Sequence, residues 1–558
     1  MAATRRQQPV RSQFKNTIVS CSVIWAIVLF SVGCDEGAST GTSPSSPRSP
    51  TARQTESVVD ATNGEQASTR EKDSDSSSDQ KWRRVGDITE TWDVVYVKNS
   101  RIGYFHSKKS DVKLKDSDEL FVHTEVEQNM TIKRFGQKTS QSILLSSVET
   151  KAGKIIEYTT EYKAGPQAIT ATGEYDGGQM VVTTKSLGKN EKSFIPWEED
   201  AGGFFAIEQS LERQSLKPGE KRTVRALQPI LNQVADVQLQ AADYEETKML
   251  AGSQRLLKVD VTTKISGQEI EQTLWIDDSG EALKSDMPSL GFVTYRTTKD
   301  IALQKVDKID FDLGEMSVVR VRGRLDKPHE TQRITYRAHL KDGKIAGVFP
   351  DCGSQSVRTI DHHTAEIVVH SIRPDKPKTM KVKDAAPTDD ELKPNSLIQS
   401  DNELIVKMAS DVAAKETDQW AVACALESYV RTKIKNVNFS QAFATAAEVA
   451  QTLEGDCTEH AVLLAALCRV RKIPSRVAMG LVYFPSSPSD GFAYHMWTEV
   501  WMKDRWVPLD ATLDKGGIGA AHIKLADSNL KGASAYSAFL PVIEVIGQLE
   551  LEILEVEP

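Results

Sequence analysis

Apolar positions follow four successive regimes along the chain. A short apolar run, Val19 to Val32, sits behind Arg5, Arg6, Arg11 and Lys15. Residues 35–80 then hold few bulky apolar side chains and are rich in Ser, Thr, Pro and acidic residues, as in Thr42-Ser43-Pro44-Ser45-Ser46-Pro47. From Trp82 to about Lys383 the pattern alternates with period two between turn dipeptides, which predicts antiparallel hairpins. Examples are Tyr175-Asp176-Gly177-Gly178 before Met180-Val181-Val182, Asp278-Ser279-Gly280 after Leu274-Trp275-Ile276, and Asp342-Gly343 between Ala338 and Val348. One short helix is expected near Phe205 to Leu211. A stretch with Pro374, Pro377, Pro387 and Pro394 among many charges marks a boundary, and beyond it the period becomes helical. The pattern predicts a multidomain chain. A targeting segment (1–34) and a disordered tether (35–81) precede a large antiparallel β-rich region (82–308). A smaller β unit (309–372), a linker (373–398) and an α+β domain (399–558) follow.

Composition narrows the class of function without naming it. A length of 558 residues suggests three or four domains at roughly 150 residues each. The formal net charge of -9 argues against a nucleic-acid binder, because no basic excess is available to displace counterions from phosphates. Six cysteines are too few to build a disulfide scaffold. The basic start and the apolar run of about 14 residues, about 21 Å as a helix, read as a secretory signal or an uncleaved signal anchor. The stretch Phe30-Ser31-Val32-Gly33-Cys34 resembles a bacterial lipoprotein signal, with Ser31 where an aliphatic residue is typical, and it makes Cys34 a candidate lipidation site. The expected location is the cell envelope, periplasmic or surface, with the N-terminus as a membrane tether.

The β-rich half offers no catalytic constellation. His362, His363 and His370 lie close in sequence, and alternation places His362 and His370 on one strand face. A metal site would need a further carboxylate or cysteine in register, so solvated or hydrogen-bonded strand histidines are the expectation. No cofactor and no metal are called for. This half could be a scaffold, a binding platform or a carrier for an apolar ligand.

The α+β part carries the chemistry. Asn402 to about Lys415 predicts one helix. Thr417 or Asp418 caps a second, with Ala423, Leu426, Val430 and Ile434 on one face, and Ala446 to Leu453 forms a third. Gly455-Asp456-Cys457-Thr458-Glu459-His460 then precedes the apolar run Ala461 to Cys468. Asp456 and Glu459 fit a capping box, which puts Cys457 at the first helical position. Open N–H groups and the helix dipole favour a thiolate there. Cys424 and Cys468 are expected as core residues or as a bridged pair; Cys352 lies in a Pro-Asp-Cys-Gly loop. Arg476 to Phe484 reads as a strand and Pro485 to Gly491 as a loop. Phe492 to Trp501 alternates again, with His495, Trp497 and Glu499 on one face; Trp506, Pro508 and Asp510 share a face of the return strand. A reversal centred between Met502 and Lys503 would pair His495 with Asp510, Trp497 with Pro508 and Glu499 with Trp506. That register is the one expected. Trp497, Trp501 and Trp506 read as core and cleft wall.

Together Gly455-Asp456-Cys457, His495-Met496-Trp497-Thr498-Glu499-Val500 and Trp506-Val507-Pro508-Leu509-Asp510-Ala511-Thr512 look like the core of the transglutaminase-like superfamily, relatives of the papain-like thiol enzymes. The likeness covers about residues 400–525. It implies a papain-like, transglutaminase-like domain in which Cys457 is the nucleophile, His495 the base and Asp510 the orienting acid. Two departures stand out: Ala511 where Pro usually follows the acid, and no tryptophan upstream of the cysteine in Phe439-Ser440-Gln441-Ala442-Phe443. Gln441 is a candidate oxyanion donor beside the backbone N–H of Cys457. His460, one helical turn from Cys457, is a rival base. The implied chemistry is acyl transfer from a peptide or protein amide through a thioester, which water (peptidase or amidase) or a second amine (transamidase) then releases. The alternative is a catalytically inactive envelope protein that uses the β-rich half to bind a partner or carry a lipid.

Overall fold

The computed structural model describes residues 81–558 apart from 116, 135, 164–167, 187–188, 307–308, 376–383, 437–442, 486–489 and 533–534. The targeting segment, Cys34, most of the tether and Gln441 therefore lie outside the described residues. Among the described residues no helix is long and apolar enough to cross a membrane.

The alternating half forms a fourteen-stranded antiparallel sheet among the described residues, from Trp82–Val97 to Phe292–Thr297. Neighbours in sequence pair as a meander, and Trp82–Val97 pairs with Phe292–Thr297 to join its two halves. Strand Phe121–Arg134 shows why: Val122, Thr124, Val126, Gln128, Met130, Ile132 and Arg134 alternate into the interior while the residues between them stay half-exposed. The hairpin turns match their residues. Asp176 leads into Gly177-Gly178, with φ of 53° and 107°, and Lys98-Asn99 turns with φ of 44° and 70°. The helix expected near Phe205 is Ala206–Arg213. Asp342-Gly343 turns the chain after Arg333–Leu340 but closes no hairpin with Val348, because the next strand begins only at Gln355.

A second sheet has nine strands among the described residues and contains the strands of the 309–372 stretch as well as those of the α+β part. Its order is Gln355–Thr359, Thr364–His370, Arg333–Leu340, Leu549–Glu557, Val319–Arg322, Gly491–Met502, Ser475–Phe484, His522–Ser528, with Arg505–Leu509 paired on Gly491–Met502. Two contacts make the join: Leu549–Glu557 pairs antiparallel with Arg333–Leu340 and parallel with Val319–Arg322, and Val319–Arg322 pairs antiparallel with Gly491–Met502. Within the 373–398 stretch, Asn395 to Ile398 are buried, and Leu397 accepts a backbone bond from Ala446.

Three helices start where the sequence places them, and the first stops at Asp411, a turn short of the expected Lys415. Glu403–Asp411 is capped by Asn402, Gln419–Lys433 by Asp418, and Ala446–Thr452 by a Thr445/Glu448 capping box. The fourth, Cys457–Val470, is buried from Cys457 through Arg469, as an apolar-all-round helix must be. It packs on Gly491–Met502 and Ser475–Phe484, where Thr498 Oγ1 donates to the Ala461 carbonyl at 2.9 Å. One hydrophobic core runs from Val126, Ile143 and Leu145 of the first sheet to Leu463, Val477 and Leu481 of the second. The two halves are packed together, and Arg134 of the first sheet, 1% exposed, places Nη2 3.9 Å from Asp456 Oδ2 at the cap of the Cys457 helix.

Candidate active site

Cys457 occupies the first position of its helix because the residues around it cap the helix at Asp456. Asp456 Oδ1 accepts from the Thr458 N–H at 2.9 Å, and Glu459 Oε2 accepts from the Asp456 N–H at 2.8 Å, the two halves of a capping box. Glu459 Oε1 also accepts from the Ala444 N–H at 3.0 Å, tying the upstream segment to the cap. Burial and the neighbouring Asp456 push the Glu459 carboxyl well above the usual range. Gly455 has φ of 151°, and a Cβ there would overlap the Glu459 side chain. The Gly-Asp-Cys order thus has a steric reason at its first residue and a hydrogen-bonding one at its second. Cys457 is 1% exposed.

His495 comes from strand Gly491–Met502 and Asp510 from the end of the return strand Arg505–Leu509. The register differs from the expected one. Trp501 faces Trp506 and Glu499 faces Pro508, closed by a two-residue turn at Lys503-Asp504 with φ of 46° and 62°. The reversal therefore centres one residue later and every pair slips by two, which leaves His495, Trp497 and Glu499 on the same face as Trp506 and Pro508. The ladder stops at Leu509, and the Asp510 side chain still reaches His495: Nε2 donates to Oδ2 at 2.7 Å, with both side chains buried. The other oxygen, Oδ1, accepts from the Thr512 N–H at 2.9 Å and Thr512 Oγ1 at 2.7 Å. Burial alone would raise the Asp510 carboxyl, but the His495 charge and the imidazole bonds outweigh it and hold the group well below the usual carboxylate range.

Two further partners of Asp510 lie outside the residues singled out in the sequence, although Glu427 sits as a carboxylate within the apolar face of Ala423, Leu426 and Val430. His522, from strand His522–Ser528, directs Nε2 at the same Oδ2 at 3.2 Å. Its only hint was the alternation His522-Ile523-Lys524-Leu525, which marks a strand but no role. Glu427, from helix Gln419–Lys433, accepts from the Asp510 N–H at 3.1 Å and the Gly516 N–H at 2.9 Å, and burial together with Asp510 pushes it up to about 8. Nearby, Glu499 is held between Lys524 Nζ, at 3.0 and 2.8 Å from its two oxygens, and Arg476 Nε at 2.8 Å. Burial opposes that carboxylate, but Lys524 and Arg476 keep it below the usual range.

The rival base is placed differently. His460 donates Nδ1–H to the Asp456 carbonyl at 2.7 Å, burial lowers its pKa, and the Asp510 charge reaches it across the gap between helix and strand. His495, Asp510 and His522 offer donor atoms within 4.8 Å of one another, a group that could hold a metal; here the carboxylate accepts from both rings. His362 precedes strand Thr364–His370, so the two do not share a strand face, and its ring meets that of His363 edge-on at 4.8 Å. Cys352, Cys424, Cys457 and Cys468 are all thiols, so Cys424 and Cys468 form no bridge; burial raises the Cys424 thiol to about 12 and pushes Cys468 up as well. Trp497 lies 6.3 Å from the His495 ring, and Trp501 packs edge-on against Trp506 at 5.3 Å.

No curated protein matches the chain. Among solved structures, a "Putative Cysteine Protease" from Cytophaga hutchinsonii shares 17% identity over 39% of this chain and 83% of its own, with a TM-score of 0.26. A beta-barrel-like protein of a domain of unknown function from Brucella abortus shares 10% over 37% of this chain and 94% of its own, at 0.27. A "putative protease" from Parabacteroides distasonis shares 10% over 70% of this chain and 64% of its own, at 0.17. At such values the superpositions are loose, and the assignment rests on the sequence match. Residues 406–511 match the Transglutaminase-like superfamily, a span that holds Cys457, His495 and Asp510. This part of the chain is a transglutaminase-like superfamily domain, set beside a large antiparallel β-rich region.

Proposed function

We propose that the chain is an exported, membrane-tethered thiol enzyme of the bacterial envelope, acting on peptide or protein amides. Cys457 is its nucleophile, His495 its proton shuttle and Asp510 the acid that orients the ring. The observation that carries this reading is the buried 2.7 Å bond from His495 Nε2 to an ionised Asp510, on the strand against which the Cys457 helix packs. With Nε2 committed to the carboxylate, Nδ1 is the ring nitrogen left to exchange a proton with the thiol. The thiolate adds to the amide carbonyl, the C–N bond breaks as His495 protonates the departing amine, and the thioester passes to water or to a second amine. The first β-rich half, packed against the cap of the catalytic helix through Arg134, would position the substrate.

A second reading has one observation in its favour: Cys457 is 1% and His495 5% exposed, as in a silent member that binds through its β-rich half. One experiment separates the two. The native full chain is incubated with a peptide chloromethyl ketone and the adduct is mapped. Modification at Cys457, slowed more than tenfold in His495→Ala, supports the enzyme. Modification only after unfolding, or at an equal rate in His495→Ala, supports the silent binder.

A further inference from the structure

We propose that His522 is a positioning residue for the reaction, a second imidazole that holds the Asp510 carboxylate in the orientation from which it serves His495. The inference rests on the Cys457–His495–Asp510 reading and extends it to a residue outside the 406–511 match.

The geometry starts from the strand between the two histidines. In the sheet, His495 lies opposite Gly480 on one side, and Gly480 lies opposite Lys524 on the other, after a bulge that skips Leu525. The bulge sets His522 and Lys524 on the face that carries His495, Trp497 and Glu499. Gly480 is needed there. A Cβ would overlap the Ile523 carbonyl and meet the Trp497 ring at 2.9 Å, so only glycine leaves the indole room to lie over the middle strand. The His522 ring packs edge-on against that indole at 5.3 Å and lies 5.8 Å from the His495 ring. Both imidazoles are thereby aimed at one carboxylate oxygen, at 2.7 and 3.2 Å.

The protonation states follow from chemistry. An ionised carboxylate only accepts, so each Nε2 carries the hydrogen. The titratable groups facing His522 are Asp510, His495 and His329; burial dominates them and takes its pKa down to about 4. The ring is therefore neutral at physiological pH, a fixed Nε2–H donor with Nδ1 unprotonated. Nδ1 is buried and has no hydrogen-bond partner among the described residues. A buried acceptor left unpaired costs free energy, on the order of 1–3 kcal/mol. That cost makes sense where the ring's other nitrogen has a task. With Thr512 on Oδ1 and His522 on Oδ2, the carboxylate cannot rotate away when His495 gains or loses its proton.

Two substitutions separate positioning from packing. A glutamine amide reaches about as far as the imidazole Nε2, and an asparagine amide only about as far as Nδ1, so His522→Gln retains the donor and His522→Asn withdraws it. The readout is the rate of Cys457 alkylation by iodoacetamide in the full chain across pH, with thermal melts to confirm folding. The expected result is a roughly tenfold slower rate and an altered pH profile for His522→Asn, and a rate within about threefold of the parent for His522→Gln. Equal behaviour of the two variants, slow or fast, would overturn the proposal. His495→Ala is run alongside: if it slows alkylation while both His522 variants match the parent, this inference fails and the triad stands. If His495→Ala has no effect, the triad reading fails first.

Discussion

Replacing Asp510 with asparagine keeps the size of the side chain and changes one acceptor into a donor. Four bonds converge on this carboxylate: His495 at 2.7 Å and His522 at 3.2 Å on Oδ2, Thr512 N–H at 2.9 Å and Thr512 Oγ1 at 2.7 Å on Oδ1. The amide oxygen can keep the Thr512 pair, which turns the NH2 toward two imidazole N–H groups. Donors then face a donor, and His495 relieves this by moving its proton to Nδ1, where it can no longer take one from the thiol. A hydrogen bond to a charged partner is worth about 1.5–3 kcal/mol, so the lost bond and the wrong tautomer together predict a fall of roughly 10²–10⁴-fold in Cys457 reactivity. The assay is the second-order rate of iodoacetamide modification at Cys457, followed by peptide mapping, on protein shown to be folded by a thermal melt. The substitution should also flatten stability at acid pH. Asp510 is held below the ordinary carboxylate range, so its contribution is present at neutral pH and is lost as pH falls through that lowered value. A folded asparagine variant that reacts within threefold of the parent from pH 5 to 9 (a window of roughly two units either side of neutrality) would refute the reasoning.

Two further predictions concern the support around the site. Glu427, raised to about 8, stabilises the fold most below the unfolded carboxylate pKa, and that contribution disappears as pH rises through about 8; Glu427→Gln should therefore remove a downward slope in melting temperature on the alkaline side of pH 5, measured by calorimetry across pH (the unfolded reference being roughly 4.3). Lys524→Met strips Glu499 of two bonds while it stays 2% exposed, leaving Arg476 as its cation, and should cost about 1.5–3 kcal/mol in urea unfolding. Adding Glu499→Gln to Lys524→Met should recover part of that loss; a double variant no more stable than Lys524→Met would argue against lost bonds to the Glu499 charge as the cause.

What the sequence discloses is what short-range physics decides. The Asp456/Glu459 box spans three residues and reads directly as a helix start, and the period-two pattern of Phe121–Arg134 already sorts its inner from its outer side chains. Faces survived where register did not. The turn at Lys503-Asp504 places two non-glycine residues at positive φ, which their types do not announce, yet a slip of two residues preserves which side chains share a surface. Longer-range facts were out of reach. Val319–Arg322 pairs directly with the His495 strand, and Arg333–Leu340 joins that sheet only because Leu549–Glu557 returns to lie between the two. His522 is a lone histidine on a strand until the bulge opposite Met479-Gly480 turns it toward Asp510. Glu427 shares the apolar face of its helix with Ala423, Leu426 and Val430, and its partners appear only when the loop of Asp510 to Gly516 closes over it.

The central claim is that Cys457 is a thiol activated by His495. Its most direct test is the ultraviolet absorbance of the thiolate, titrated in the parent protein and in His495→Ala with the Cys457→Ser curve subtracted from each. The account predicts that the Cys457 thiolate appears well on the acid side of an ordinary thiol, whose pKa is roughly 8.5, and that His495→Ala moves its appearance up by at least about one unit. A Cys457 that titrates as an ordinary or still weaker acid, unmoved by loss of the imidazole, would contradict it.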